Sequence, residues 1–302
     1  MLIGTQTDFA VKAFGEKEGL RLLAEAGFDS LDLSMYIYPV SEEPFTLGED
    51  EFCAFFGEIS EIVKKNNLIV GQTHPHFPTY TGNEQQDEYL LEILKKNIRA
   101  TALLGSKYAV IHPAMDIKRK YGQYTDEMKE INIKRYLALF DCLEKYDVYC
   151  CIENMFSRDR ILNRICPTTC STAEEMVDYI DTLNTLTNSG RYVACLDIGH
   201  SNLIHYDGYE TVNPVDMIHI LGDRIKVLHV QDTDGKNDLH MPPGFGNIDF
   251  DDVCESLKEI GYNGVFSLEA DSLCYKLGKE CVKESERLMY SIAKNLVNSH
   301  NL

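Results

Sequence analysis

Eight short apolar runs, separated by stretches whose apolar residues recur at helical spacing, limit what this chain can fold into more than any other feature. The runs lie near 2–8, 30–35, 68–74, 108–114, 148–154, 192–198, 225–231 and 264–269 and are rich in Val, Ile, Leu, Tyr and Cys. That composition and length suit buried strands. Between them, Leu20, Leu23, Ala24 and Gly27 follow the first run and Leu90, Ile93, Leu94 and Ile98 the third, each marking one helical stripe. Further helices are expected near 50–66, 127–146, 172–187, 213–222, 249–260 and 279–297, with Asp50, Asp126 and Asp251 at the end where a helix favours negative charge.

Strands joined by helical crossovers lie parallel, in an open doubly wound sheet or a closed barrel. Eight βα units favour closure, and no G-x-G-x-x-G fingerprint follows the first strand to support a dinucleotide fold. The expected fold class is therefore α/β, a (β/α)8 TIM barrel. No Pro/Gly/Ser linker or low-complexity tract divides residues 1–302, so one domain is expected. The longer segments 36–48, 75–87, 115–126, 155–171 and 232–248 follow strands, where such a barrel carries its active-site loops.

A barrel of this size buries enough apolar surface to need no disulfides. Of the ten cysteines, Cys150, Cys151 and Cys195 sit in strand-like runs as small hydrophobes, while Cys166 and Cys170 in CPTTC lack the pairing of a zinc ribbon. The formal net charge of -19 repels phosphate backbones, which favours a small-molecule partner over nucleic acid. The opening MLIGTQTDFA has no basic segment followed by an apolar core, and no run is long enough to span a membrane. A cytoplasmic protein is expected, with a homo-oligomer compatible with the sequence.

The strand-like runs end in acids and imidazoles: QTH (His74), VIH (His112), CIE (Glu153), LDIGH (Asp197 and His200), VLHVQD (His229) and SLE (Glu269), with DLH (Asp238 and His240) close behind. One such ending is ordinary; repeated on successive staves of a barrel, the endings converge. Strand alternation puts Tyr149, Cys151 and Glu153 on one face of VYCCIE, Val193, Cys195 and Asp197 on one face of YVACLD, and Val227 with His229 and Val265, Ser267 with Glu269 likewise. Glu153, Asp197, His229 and Glu269 then form a hard anionic set suited to one divalent ion, Mn2+, Zn2+, Mg2+ or Co2+. Three acids and an imidazole converging without a cation would be costly to bury.

With CIEN, LDIGH, LHVQD and SLEA at the ends of the fifth to eighth runs, and PGFGNIDF resembling a G-x-G-x-I-D turn, the sequence resembles the xylose isomerase-like barrel superfamily over nearly its whole length. That superfamily contains sugar isomerases and epimerases, inosose dehydratases and endonuclease IV. The resemblance implies a metal held by Glu153, Asp197, His229 and Glu269. Its endonuclease IV branch implies five more metal or substrate ligands, His74, His112, His200, Asp238 and His240, and with them a second or third metal. This chain departs from that branch at Leu239, where endonuclease IV has arginine.

His76, His205 and His219 are read as structural, and His74 is preferred to His76 on strand alternation. Arg158 and Arg160 in FSRDR are placed to meet a substrate phosphate or carboxylate, as a guanidinium fork can. Lys118, Arg119 and Lys120 are read as a solvated loop, and Tyr36 and Tyr38 as pocket walls. The leading expectation is a metal-dependent isomerase or epimerase of a sugar, sugar phosphate or related polyol ketone. It would act through an enediolate, with Glu153 and Glu269 as acid and base and with His112 and His200 on substrate hydroxyls. The alternatives are an endonuclease IV-like zinc phosphodiesterase acting on abasic DNA, an inosose-type dehydratase, and a catalytically silent sugar-binding barrel.

Overall fold

Each apolar run becomes a strand in the computed structural model, which describes residues 1–115, 126–159, 161, 163–203 and 212–302. Lys118, Arg119, Lys120, Arg160 and His205 lie outside the described residues. The strands are β1 (Leu2–Gln6), β2 (Ser30–Ser34), β3 (Ile69–His74), β4 (Tyr108–Ile111), β5 (Tyr149–Glu153), β6 (Tyr192–Asp197), β7 (Ile225–His229) and β8 (Val265–Leu268). They pair in parallel in the order β8-β1-β2-β3-β4-β5-β6-β7. The seam between β7 and β8 is joined just past the end of β7, where Val230 N–H donates to Ser267 O at 2.8 Å and Glu269 N–H to Val230 O at 3.0 Å. The fold is a (β/α)8 TIM barrel.

Helices Asp8–Ala26, Glu49–Lys65, Glu84–Leu103, Ala173–Thr187, Pro214–Leu221, Phe250–Glu259 and Val282–His300 cover the outside. Their starts are set locally: Asn83 accepts from Gln86 N–H at 3.0 Å and Thr172 from Glu175 N–H at 3.3 Å. Such a cap is worth roughly 1 kcal/mol. The helix expected over 127–146 divides into Asp126–Leu137 and Phe140–Tyr146, because Leu139 N–H turns to Tyr136 O at 3.0 Å and tightens the chain there. Three small elements carry too few residues to show a period in the sequence. They are a hairpin (Phe156–Asp159 with Arg164–Pro167) and the helices Ile198–Ser201 and Ser272–Leu277.

Alternation sorts the side chains as expected. Val110, Cys151, Val193, Cys195 and Val227 pack together inside one half of the barrel. Their neighbours Cys150, Ile152, Ala194, Leu196 and Leu228 face the helices. The other half is lined by smaller residues: a Cβ on Gly71 would lie 2.4 Å from Ser30 Oγ, and one on Gly4 would lie 2.8 Å from Val265 Cγ1. All ten cysteines are free. No described helix is long and apolar enough to cross a membrane.

Candidate metal centre

The carboxyl ends of the strands bring three groups of potential ligands together, each with its ligand atoms within 4.8 Å of one another. They are Glu153, Asp197, His229 and Glu269; His74, Glu153 and His229; and His200, Asp238 and His240. Around a tetrahedral zinc ion with bonds of about 2.0–2.2 Å the ligand atoms stand roughly 3.3–3.6 Å apart, so small side-chain shifts would let these groups hold an ion.

His229 is at the centre. Its Nδ1 lies 2.9 Å from Glu153 Oε1 and 3.1 Å from Glu269 Oε2, and its Nε2 lies 2.8 Å from Asp32 Oδ2. Glu269 Oε2 is buried without a hydrogen-bond partner. On the far side of Glu153, His112 Nε2 approaches Oε2 at 2.9 Å and His74 Nε2 at 3.2 Å. Glu153, Asp197, His229 and Glu269 are all at least nine-tenths buried. A buried carboxylate oxygen with no donor, amid two further acids, is the environment a divalent cation would satisfy. The donor set of oxygens and imidazole nitrogen fits such an ion.

The acidities of the groups diverge. Burial works to raise Glu153, but His229 and His112 outweigh it and hold it well below the usual carboxylate range. Burial pushes Glu269 up to about 8, with His229 and His240 opposing and Glu153 adding to the rise. Burial lowers His74 to about 4, aided by neighbouring His112. Burial opposes the charge on His240, yet Glu269 and Asp238 raise it to about 10.

Local geometry explains why these side chains stand where they do. Asn154, next to Glu153, donates to Asp197 O at 2.8 Å and accepts from Asp197 N–H at 2.7 Å, which locks the ends of β5 and β6 together. Asp197 caps the short helix that follows, accepting from His200 N–H at 2.6 Å, so one aspartate places two candidate ligands. Gln231 donates to Asp197 Oδ2 at 3.2 Å and to Asp238 Oδ1 at 2.9 Å, and accepts from His240 N–H at 2.9 Å. It therefore couples the two outer groups. Asp238 in turn meets His240 Nε2 at 2.9 Å.

Asp32, Gln72, Asn154 and Gln231 were not singled out in the sequence. The alternation of SLDLS that places Asp32 inward was available; the amides carry no charge signal. Aromatic rings crowd the imidazoles: Tyr36 is 5.0 Å from His74, Phe77 stacks 4.8 Å from His112, and Phe156 is 5.0 Å from His200. Tyr38 stands further back, packed on Phe55 with its hydroxyl on Glu16. Arg158 is not in the cage; its guanidinium reaches Asn237 Oδ1 at 3.2 Å and Asn163 Oδ1 at 3.3 Å, tying the hairpin to the loop after β7. His76 is held by Tyr38 O and Asn97, and His219 pairs with Glu259 outside the barrel.

The sequence pattern of the xylose isomerase-like TIM barrel family matches residues 20–290. The chain belongs to that family. Among xylose isomerase-like relatives, a probable endonuclease 4 of Staphylococcus carnosus is 30% identical over 201 residues, 62% of this chain and 60% of the relative. The chain spans about three-fifths of the length of such curated relatives. Among solved structures, L-ribulose 3-epimerase superposes with a TM-score of 0.74 at 17% identity, covering 99% of this chain and 95% of that one. IOLI protein with a bound zinc atom superposes with a TM-score of 0.71 at 18% identity, covering 99% and 98%. At these identities the superpositions show the shared xylose isomerase-like fold alone.

Proposed function

We propose that the chain is a divalent-metal-dependent isomerase or epimerase of a sugar, sugar phosphate or related polyol ketone. The observation that carries this reading is the pair Glu153 and Glu269. They reach the same His229 nitrogen from the ends of β5 and β8, Glu153 Oε1 at 2.9 Å and Glu269 Oε2 at 3.1 Å. Two carboxyls that converge on one site from different strands can serve as an acid and a base on opposite faces of a substrate. Glu153, Asp197, His229 and Glu269 would hold the ion, which when bound supplies Lewis acidity that makes a C–H beside a carbonyl easier to deprotonate. One of Glu153 and Glu269 would then remove the proton and the other return it from the opposite face. His112 and His200, which lie beside Glu153, would bind substrate hydroxyls, and the exposed ring of Phe77 would offer an apolar face to the sugar. A carbohydrate partner agrees with the names of structural neighbours such as L-ribulose 3-epimerase and with the net charge of -19.

A second reading, a zinc phosphodiesterase, is favoured by one feature. His200, Asp238 and His240 form a group that shares no residue with the four-ligand cage, which a single-ion epimerase does not require. The curated relatives named probable endonuclease 4 agree with it.

Elemental analysis of the purified protein, followed by assays on ketoses, inososes and abasic DNA with metal removed and restored, separates the readings. The expected result is metal-dependent turnover of a ketose that Glu269→Gln abolishes while the fold is kept. Three zinc ions per chain with cleavage of abasic DNA would overturn the proposal, and loss of water from an inosose would make the enzyme a dehydratase.

A further inference from the structure

Asp32 lies on β2, across the barrel from the strands that carry the four-ligand cage, and is 1% exposed. Its Oδ2 meets His229 Nε2 at 2.8 Å and also accepts from Gln72 Nε2 at 2.9 Å. Gln72, itself 1% exposed, is held in turn by Leu228 O at 3.2 Å. A continuous path of hydrogen bonds and close contacts therefore crosses the barrel interior, from Gln72 through Asp32 and His229 to Glu153 and His112.

An ionised carboxylate can only accept hydrogen bonds, so its contact with Nε2 places a proton on that nitrogen. The other ring nitrogen, Nδ1, is turned toward Glu153 and Glu269, and any proton it shares with Glu153 in the metal-free ring is the one that an ion bound there would displace. A histidine binds a metal through a nitrogen free of its proton, and the partner of the opposite N–H decides which nitrogen that is. We propose that Asp32 is a positioning residue that fixes the His229 tautomer, keeping Nε2 protonated and Nδ1 available to the ion, with Gln72 holding Asp32 in place. The inference rests on the metal reading of the cage and assigns a role to a residue outside it.

The test uses the full chain and Zn2+ alone, with affinity measured by competition against a chromogenic chelator and the His229 ring nitrogens followed by 15N–1H correlation spectra. Asp32→Ala removes the acceptor, and affinity is expected to fall by about 10–100-fold, as for other outer partners of ligating histidines. The Nε2–H signal of the Zn2+-bound unaltered chain should be lost or mixed in that variant. Asp32→Asn can still turn its oxygen toward Nε2 and Gln72, so it should retain the Nε2–H tautomer and bind more tightly than Asp32→Ala. A role in packing alone predicts no change in tautomer.

An Asp32→Ala protein that folds, keeps Nε2–H and binds Zn2+ within about twofold of the unaltered chain overturns the assignment. If Asp32→Ala does not fold, Asp32→Asn decides: a fall in affinity of about tenfold, expected from loss of the negative charge, supports the role, and an unchanged affinity overturns it. Failure of the unaltered chain to bind Zn2+ overturns the metal reading itself, and this inference with it.

Discussion

Replacing Asp232 with asparagine should destabilise the fold although no charge partner is lost. Asp232 is fully buried, and each of its oxygens accepts two backbone N–H groups. Oδ1 takes Thr233 at 2.9 Å and Ile248 at 3.2 Å, while Oδ2 takes Gly244 at 2.9 Å and Gly246 at 2.7 Å. The loop closes so tightly on this carboxylate that a Cβ on Gly246 would lie 2.3 Å from Asp232 Oδ1 and 2.1 Å from Thr233 O. An asparagine presents one oxygen and one NH2, so in either orientation two of the four N–H donors lose their acceptor and face another donor. Each buried donor left without a partner costs about 1–3 kcal/mol. Three of the four contacts are partly buried, so water restores some of the loss. We expect a net cost of about 3 kcal/mol, which for a chain of this size lowers Tm by roughly 5 °C. Urea unfolding of Asp232→Asn and Asp232→Ala, followed by circular dichroism, measures it, with Asp232→Ala at least as destabilised. A loss below about 1 kcal/mol in both would refute the claim that this carboxylate organises the loop bearing Asp238 and His240.

Three further outcomes are expected. Glu286 is 1% exposed, Oε2 has no hydrogen-bond donor, and burial pushes its carboxyl up to about 8 from 4.5. The folded chain thus holds this proton more tightly than the unfolded one. Its contribution to stability is complete at acid pH and is lost as pH rises from about 4.5 to 8. Glu286→Gln should therefore raise Tm at pH 9 but leave it unchanged at pH 4, and equal shifts at both would contradict this. In native protein only Cys53, Cys142 and Cys281, the cysteines that are not fully buried, should react with a thiol reagent, and all ten should react after unfolding. Zn2+ or Mn2+ at a hundredfold excess over its dissociation constant should stabilise the unaltered chain by about 2.7 kcal/mol in a thermal melt, and Asp197→Asn should lose most of that gain.

The eight strands were legible because each is a short apolar run whose alternation survives burial on both sides. Cys151, Cys195 and Val227 inside and Cys150, Ala194 and Leu228 outside lie where a period of two puts them. The hairpin at Phe156–Asp159 and the helix Ile198–Ser201 were not legible, since four residues show neither period. In the site, Glu153, Asp197, His229 and Glu269 stand out because an ionisable group ending an apolar strand is conspicuous. Asn154, Gln231 and Gln72 are not conspicuous: an amide at a strand end is unremarkable until its partners are known.

The sequence by itself determined the barrel and which side chains enter its interior, because periodicity and apolar content are local properties that need no knowledge of contacts. Only the tertiary structure decided which entering groups meet. Asp32 and His229 are 197 residues apart in the chain, and their contact across the barrel follows from the closure of β8 onto β1 and β7. Closure turns a linear list of strand ends into a ring, and the distances across that ring, which no local pattern encodes, set the partner of every buried charge.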